Sequence, residues 1–321
     1  MTISCASLKG PDPLSPPPLV LLAGPTAAGK TSLALALARR LSAEIVNADS
    51  MQVYRRMDIG TAKPTASERE MVRHHLIDVA DPDEPFDAAR YIELARPVVE
   101  MVREKGKVPL VVGGTGLYMK VLTRGICWAP PTDPDTKEEL LAEERSGGLA
   151  GLYSRLLAAD PEAAARIHAH DRQRILRALE VYRITGVALS AHQKRHGFSE
   201  TVLPAVKIFI FREREELYER INRRVDEMVA NGLEDEVRRL ISMGFGPGLK
   251  SMQSLGYKQM ALKIEGKLTL DEAVYLIKRD TRRYAKRQMT WFRGDPEFCR
   301  HHAEDLDGVL SRITGGPTCQ A

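Results

Sequence analysis

The chain has 321 residues, of which 43% are hydrophobic and 28% charged, and its formal net charge is +4 at pH 7. A chain of this length can form one or two domains with a sizeable hydrophobic core. No apolar stretch approaches the roughly 18 residues of a membrane-spanning helix. The net charge is too small to indicate nucleic-acid binding by itself, so only local clusters of basic residues can do so.

The first 18 residues are rich in proline, with Pro11, Pro13 and Pro16-Pro17-Pro18. The segment lacks the charged and then apolar layout of a signal peptide. We therefore expect residues 1–18 to be a disordered lead-in. The four cysteines are widely separated, and we expect them to be reduced thiols of a cytoplasmic protein.

A phosphate-binding loop follows the first apolar run, residues 19–23. The motif G-x-x-x-x-G-K-T is formed by Gly24, Pro25, Thr26, Ala27, Ala28, Gly29, Lys30 and Thr31. Leucines then recur at helical spacing in residues 33–41, so the loop joins a strand to a helix. In such a loop the backbone N–H groups and Lys30 bind phosphate oxygens, while the Thr31 hydroxyl is placed for Mg²⁺. The motif predicts a bound diphosphate or triphosphate.

Strands and helices alternate after this loop. Apolar runs at residues 44–48, 75–79, 108–112 and 206–211 predict further strands. The alternation predicts an α/β fold, a P-loop NTPase-like doubly wound parallel sheet. Helical patterns fill the chain from residue 136 to about 196, so we expect an inserted all-helical domain at residues 131–202. The P-loop core then comprises residues 19–130 and 203–300, followed by a tail at 301–321.

Polar residues at strand ends are candidates for chemistry. Asp49 follows the strand at residues 44–48, at the sheet edge where open α/β proteins bind ligands, and can act as a base. Thr115 lies in the turn Gly113-Gly114-Thr115-Gly116, where many P-loop hydrolases have a magnesium-binding aspartate. Arg220 and Arg224 lie one helical turn apart and can either grip phosphate or pair with neighbouring glutamates.

Two stretches are locally basic. The first carries Arg166, Arg172, Arg174, Arg177, Arg183, Lys194 and Arg195, and the second carries Lys278, Arg279, Arg282, Arg283, Lys286, Arg287 and Arg293. Such stretches are either ordinary solvated helix faces or surfaces for RNA phosphates. Their combination with a phosphate-binding loop favours an RNA partner.

Several motifs together resemble the tRNA dimethylallyltransferases. They are the phosphate-binding loop and the segments at residues 49–54, 58–64, 113–118, 171–181, 254–259 and 285–291. The likeness runs from about Leu19 to Arg293, with all motifs in order. Ala28 stands where the family usually has serine, and the zinc-finger extension of eukaryotic relatives is missing, as in bacterial members.

The resemblance implies transfer of a dimethylallyl group from dimethylallyl diphosphate to the exocyclic amine of the adenine 3′ of the tRNA anticodon. It implies that Asp49 is the general base and that Thr115 and Arg220 steady the diphosphate. Lys30 and Thr31 would bind that diphosphate together with Mg²⁺. We expect a monomer that acts on the anticodon stem-loop and needs no membrane.

The resemblance also implies a set of tRNA contacts. They are Asp49, Ser50, Met51, Gln52, Lys137, Gln173, Arg174, Ile175, Leu176, Arg177, Gln253, Ser254, Leu255, Gly256, Tyr257, Lys258, Thr281, Arg282, Arg283, Tyr284, Ala285, Lys286, Arg287 and Gln288.

The residues leave three alternatives open. A small-molecule kinase would share the loop and the Asp49 base but would need ATP. An adenylate dimethylallyltransferase of the cytokinin type would share the donor and use a free nucleotide as acceptor. A non-enzymatic RNA-binding protein would use the basic stretches alone.

Overall fold

A computed structural model describes residues 17–126, 129–130, 132–197 and 201–315. Of the expected lead-in, residues 1–16 lie outside this range. The chain divides into two compact units, Met1–Thr123 together with Leu203–Ala321, and Arg124–Val202. The helical unit therefore starts at Arg124, earlier than the sequence boundary at residue 131.

The first unit is built on a parallel six-stranded sheet. Its strands are β1 (Leu19–Ala23), β2 (Ala43–Asn47), β3 (His74–His75), β4 (Val108–Gly113), β5 (Ala205–Phe211) and β6 (Cys299–His302), in the spatial order β3-β2-β4-β1-β5-β6. Val20 of the central β1 pairs with Leu110 on one side and Val206 on the other. The predicted α/β fold with a parallel sheet is confirmed.

Helices follow most strands. In chain order they are α1 (Lys30–Leu41), α2 (Ala66–Met71), α3 (Ala88–Glu104), α4 (Gly116–Arg124), α5 (Pro134–Ala159), α6 (Pro161–Arg166), α7 (Arg172–Thr185), α8 (Leu189–His196), α9 (Arg214–Ala230), α10 (Leu233–Ser242), α11 (Tyr257–Ile264), α12 (Leu270–Arg293) and α13 (Leu306–Ile313). Among the described residues, no helix is both long and apolar enough to cross a membrane.

The side chains of β1 explain its uninterrupted apolar run. Leu19 and Leu21 belong to one hydrophobic core, whereas Val20 and Leu22 belong to another. Strand side chains alternate between the two faces of a sheet. Both faces of this sheet are therefore covered, as is usual for parallel sheets.

The second unit consists of α5 to α8 and has its own small core. Leu140 and Leu156 of α5 pack there with Ile175 and Leu179 of α7. The helix α5 bends at Gly148, whose φ of 68° lies in the left-handed region that favours glycine.

The structure differs from the sequence prediction around β3. The expected strand at residues 75–79 is reduced to His74–His75, because Leu76 and Asp78 adopt φ values of 60° and 59°. Ion pairs hold Asp78 in this conformation, since its carboxylate accepts hydrogen bonds from Lys63 at 2.7 Å and Arg69 at 2.8 Å.

The expected tail at residues 301–321 also requires correction, since it contains regular structure. Strand β6 pairs with β5 at the edge of the sheet, and α13 buries Val309 and Ile313 in the core that contains Val20. Edge strand β6 has a single buried residue, Cys299, and therefore no alternating pattern that sequence analysis can detect.

Candidate active site

Three neighbouring strands bring the predicted site residues to one edge of the sheet. Asp49 follows β2, the turn at residues 113–116 follows β4, and the phosphate-binding loop follows β1. These ends border a cavity of about 450 Å³. Its lining includes Thr26, Ala27, Gly29, Lys30, Thr31, Asp49, Gln52, Gly113, Arg220, Arg223, Arg224 and Gln288.

The phosphate-binding loop turns into α1 at Gly29, whose φ of 101° permits the turn. Lys30 Nζ donates hydrogen bonds to the carbonyl oxygens of Gly24 at 2.9 Å and Pro25 at 2.8 Å. Burial lowers the pKa of Lys30 to about 7, whereas the charge of Asp49 opposes the shift and that of Arg224 adds to it. An anion in the cavity would therefore favour the charged form of Lys30.

We expect binding of inorganic diphosphate at pH 8 to take up a proton at Lys30. Because its pKa in the free protein is about 7, the Lys30 amine is mostly neutral at pH 8. A bound anion raises that pKa, so the contribution of Lys30 to affinity falls as the pH rises above 7. Calorimetry in buffers of different ionisation enthalpy measures the uptake.

Lys30→Arg is the matched control for this titration, because arginine stays charged at pH 8 and reports only the protonation of the diphosphate. Equal proton uptake by the two proteins would contradict the assignment of the proton to Lys30.

The Asp49 side chain is held by its own turn. Its Oδ1 accepts hydrogen bonds from the backbone N–H groups of Met51 at 2.8 Å and Gln52 at 3.4 Å. Asn47 supports the same turn, since its Oδ1 accepts from the N–H of Asp49 at 3.0 Å. No hydrogen bond from the described residues reaches Asp49 Oδ2, and this oxygen is therefore available to accept a proton.

Thr115 supports the Asp49 turn from the neighbouring strand. Its N–H donates to the carbonyl oxygen of Ala48 at 3.1 Å, and its hydroxyl accepts from the N–H of Ser50 at 3.1 Å. The cavity lining lacks Thr115. Its contact with a diphosphate stays a prediction, whereas its contact with the Asp49 turn is direct.

Two arginines of α9, Arg220 and Arg224, reach the phosphate-binding loop. Arg220 Nε donates to the carbonyl oxygen of Ala27 at 2.9 Å, and Arg224 Nη1 lies 3.4 Å from the Thr26 hydroxyl. Burial lowers the pKa of both guanidinium groups. The four-residue spacing predicted both arginines on one helix face, whereas the family resemblance implied a role for Arg220 alone.

Gln288 joins two turns of the site. Its Oε1 accepts from the N–H of Thr26 at 2.9 Å, and its Nε2 donates to the carbonyl oxygen of Gly114 at 3.0 Å. A Cβ atom at Gly114 would lie 2.0 Å from that Nε2, so a larger residue there would displace the Gln288 amide. Sequence analysis proposed Gln288 as an RNA contact, and no local pattern could reveal a partner 262 residues away.

The other proposed tRNA contacts differ in exposure. Exposed residues are Lys137, Gln173, Arg174, Gln253, Lys258, Arg283, Lys286 and Arg287, whereas Ile175, Gly256, Tyr257 and Ala285 are buried. The remainder, Ser50, Met51, Gln52, Leu176, Arg177, Ser254, Leu255, Thr281, Arg282 and Tyr284, are partly buried. The exposed set can present side chains to RNA directly, and the buried set cannot do so in this conformation.

Glutamates that precede the first basic stretch neutralise much of it. Arg172 pairs with Glu144, and Arg183 pairs with both Glu139 and Glu143. These glutamates belong to α5, outside the basic stretch itself. The helical unit therefore presents less free positive charge than its sequence suggests.

The second basic stretch keeps free cations near its end. Lys278 pairs with Asp226, and Arg283 lies 3.5 Å from Asp280. Lys286, Arg287 and Arg293 have no ion-pair partner among the residues that the structure describes. Positive charge is therefore concentrated at the C-terminal half of α12.

A magnesium site made only of protein ligands is absent from the described part of the chain, where no three His, Cys, Asp or Glu side chains lie together. Magnesium often takes one or two protein oxygens and completes its shell with water and substrate phosphates. Thr31 is exposed in the first turn of α1 and lines the cavity. Its hydroxyl fits a magnesium ion that arrives with a diphosphate and takes its other ligands from phosphate and water.

The fold and the site define a P-loop α/β protein with an inserted helical unit. A model of the IPP transferase family matches residues 52–295, and the chain belongs to this family. A tRNA dimethylallyltransferase of Syntrophobacter fumaroxidans is 60% identical over 296 residues, which cover 92% of this chain and 86% of the relative.

Solved structures agree with this assignment. A tRNA isopentenylpyrophosphate transferase from Bacillus halodurans has a TM-score of 0.68 at 40% identity, covering 92% of this chain and 96% of that one. A eukaryotic dimethylallyltransferase acting on tRNA has a TM-score of 0.76 at 27% identity, covering 94% of this chain and 81% of that one.

Proposed function

We propose that the protein transfers a dimethylallyl group from dimethylallyl diphosphate to the exocyclic amine of the adenine 3′ of the anticodon in tRNA. The observation that carries the proposal is the shared cavity of the phosphate-binding loop and Asp49, in a chain 60% identical to a tRNA dimethylallyltransferase. The allylic C–O bond breaks, a C–N bond forms, diphosphate leaves, and the amine loses a proton.

Cleavage of the allylic C–O bond concentrates negative charge on the departing diphosphate. Lys30, Arg220 and Arg224 line the cavity in which we place that charge. One fixed donor of this kind is typically worth about 3 to 4 kcal/mol in the transition state. Magnesium, when bound through Thr31 and the diphosphate, would supply further charge neutralisation.

The adenine amine is a weak nucleophile and becomes acidic as its bond to carbon forms. Asp49 Oδ2 can accept the proton, because Oδ1 already serves the backbone of the turn. Access to that amine requires the base to leave its stack, which costs little in a single-stranded anticodon loop. We assign the general-base role to Asp49 and a supporting role to Thr115.

Incubation of the protein with labelled dimethylallyl diphosphate and Mg²⁺ tests the proposal against its alternatives. We expect label on unmodified tRNA and none on AMP. Label on AMP alone would assign an adenylate dimethylallyltransferase, and ATP turnover without prenyl transfer would assign a kinase. We also propose that the enzyme is a monomer located in the cytoplasm.

Removal of free charge from α12 should weaken tRNA binding. The double variant Lys286→Gln/Arg287→Gln removes two cations without carboxylate partners in the described chain, so the slope of log affinity against log salt should fall by about two. Filter binding over a potassium chloride series measures both affinity and slope.

The matched double variant Arg172→Gln/Arg183→Gln removes two arginines that α5 glutamates already neutralise. It should change the salt slope by less than the α12 variant does. An equal or larger change would show that the helical unit, and not α12, provides the main phosphate contacts.

A further inference from the structure

A buried carboxylate lies behind the Asp49 turn. Glu236 is only 3% exposed and shares the buried face of α10 with Leu233, Val237 and Leu240. A helix face of this kind normally carries apolar side chains. A buried carboxylate is costly unless hydrogen bonds satisfy its oxygens, so the donors around Glu236 indicate what it does.

Four donors converge on Glu236. Its Oε2 accepts from the N–H groups of Asp58 at 3.0 Å and Ile59 at 2.8 Å, and its Oε1 from the N–H of Gly60 at 3.1 Å and the Tyr257 hydroxyl at 2.6 Å. Burial, together with the charge of Glu236, raises the pKa of Tyr257. The phenol therefore stays protonated and remains a donor.

The loop at residues 58–62 is fixed between this carboxylate and the Asp49 turn. A Cβ atom at Gly60 would lie 2.4 Å from the Tyr257 ring, so the backbone packs directly on that ring. On the other side of the loop, Gln52 Nε2 donates to the carbonyl oxygens of Thr61 and Ala62, each at 3.2 Å. The N–H of Gln52 in turn reaches Asp49 Oδ1 at 3.4 Å.

Tyr257 also belongs to the segment for which sequence analysis proposed RNA contacts, residues 253–258. It is 0% exposed, and its hydroxyl is already used by Glu236. Two residues further on, Gln259 donates to Asp280 of α12 at 3.1 Å. The same cluster thus connects the Asp49 turn to α11 and α12.

We propose that Glu236 and Tyr257 are positioning residues that hold the loop at residues 58–62, and through Gln52 the Asp49 turn, in the geometry that the reaction needs. This inference rests on the proposed function, because it assigns the general-base role to Asp49. Tyr257 acts through Glu236 and does not contact RNA with its side chain.

Hydrogen–deuterium exchange tests the positioning role without any activity. Glu236→Gln places an amide NH₂ group against donors that need an acceptor, so amides at residues 58–60 should exchange at least about tenfold faster. The increase should extend to residues 51 and 52. Glu234→Gln, on the same helix but paired with Lys263 and Arg238, is the matched control and should leave both segments unchanged. Faster exchange confined to residues 58–60 would overturn the proposed link between Glu236 and the Asp49 turn.

Single-turnover prenyl transfer at saturating tRNA tests whether this positioning role affects catalysis. We expect a rate about tenfold lower in Tyr257→Phe and up to about 100-fold lower in Glu236→Gln, because small misplacements of reacting groups have effects of this size. The dissociation constant for tRNA should change less than about twofold.

An unchanged rate per folded protein, measured alongside unfolding curves, would overturn the positioning role. Weaker tRNA binding at an unchanged rate in Tyr257→Phe would instead show direct RNA contact and overturn it as well. A wild-type protein that transfers no prenyl group to tRNA would refute the proposed function, whereas the exchange result would still decide whether the cluster orders the turn.

Discussion

Asp49→Asn should slow prenyl transfer by about 10²- to 10⁴-fold and leave tRNA affinity nearly unchanged. This range is typical for the loss of a general base and corresponds to about 3 to 5 kcal/mol of transition-state stabilisation. Asparagine keeps the shape of the side chain and an oxygen that can accept from the N–H of Met51, so the turn should survive. Single-turnover transfer and a separate tRNA-binding assay measure the two quantities.

Asp81→Asn is a suitable control for Asp49→Asn. Asp81 pairs with Arg55 and Arg56 and does not line the cavity, so its loss should leave transfer close to the wild-type rate. An undiminished rate in Asp49→Asn would remove Asp49 from the base role. A large loss of tRNA affinity in that variant would mean that Asp49 mainly binds RNA.

Lys30→Met should lower the rate of transfer by about 10²- to 10³-fold, the usual effect of removing one fixed donor to a developing anion. Methionine keeps much of the length of the side chain but carries no charge. The departing diphosphate is more highly charged than the bound donor, so kcat should fall by more than the affinity for the donor does. Steady-state kinetics over a range of dimethylallyl diphosphate concentrations separate the two effects.

Lys267→Met removes an exposed lysine that pairs with Glu265 and should have no effect on either parameter. If Lys30→Met raised KM for the donor and left kcat unchanged, Lys30 would bind the donor and the transition state equally well. That result would contradict its role at the leaving group.

The sequence predicts the parts of the fold that local patterns specify. The uniform apolar run of β1 and the motif after it place a strand, a loop and α1 correctly. The positions of Asp49 and Lys30 follow from the same reasoning, because the carboxyl ends of neighbouring parallel strands meet at one edge. These features depend on residues that are adjacent in the chain.

Features that depend on distant partners could not be predicted. Strands β3 and β6 are short and lie at the sheet edges, where pairing with a neighbour matters more than the residues themselves. The hydrogen bonds of Gln288 to Thr26 and of Glu236 to Ile59 join residues 262 and 177 positions apart. The hydrophobic periodicity of the sequence indicates local structure and cannot predict such contacts. The same reason explains why the glutamates of α5 were not recognised as partners of the basic residues in α7.

The central claim is that one adenine of the anticodon loop receives the prenyl group at the cavity of Lys30 and Asp49. Two tRNA transcripts, identical except for adenine or guanine immediately 3′ of the anticodon, test it with labelled dimethylallyl diphosphate and Mg²⁺. We predict label in the adenine transcript alone, with one diphosphate released for each group transferred. Equal labelling of both transcripts, or diphosphate release without label in RNA, would contradict the account.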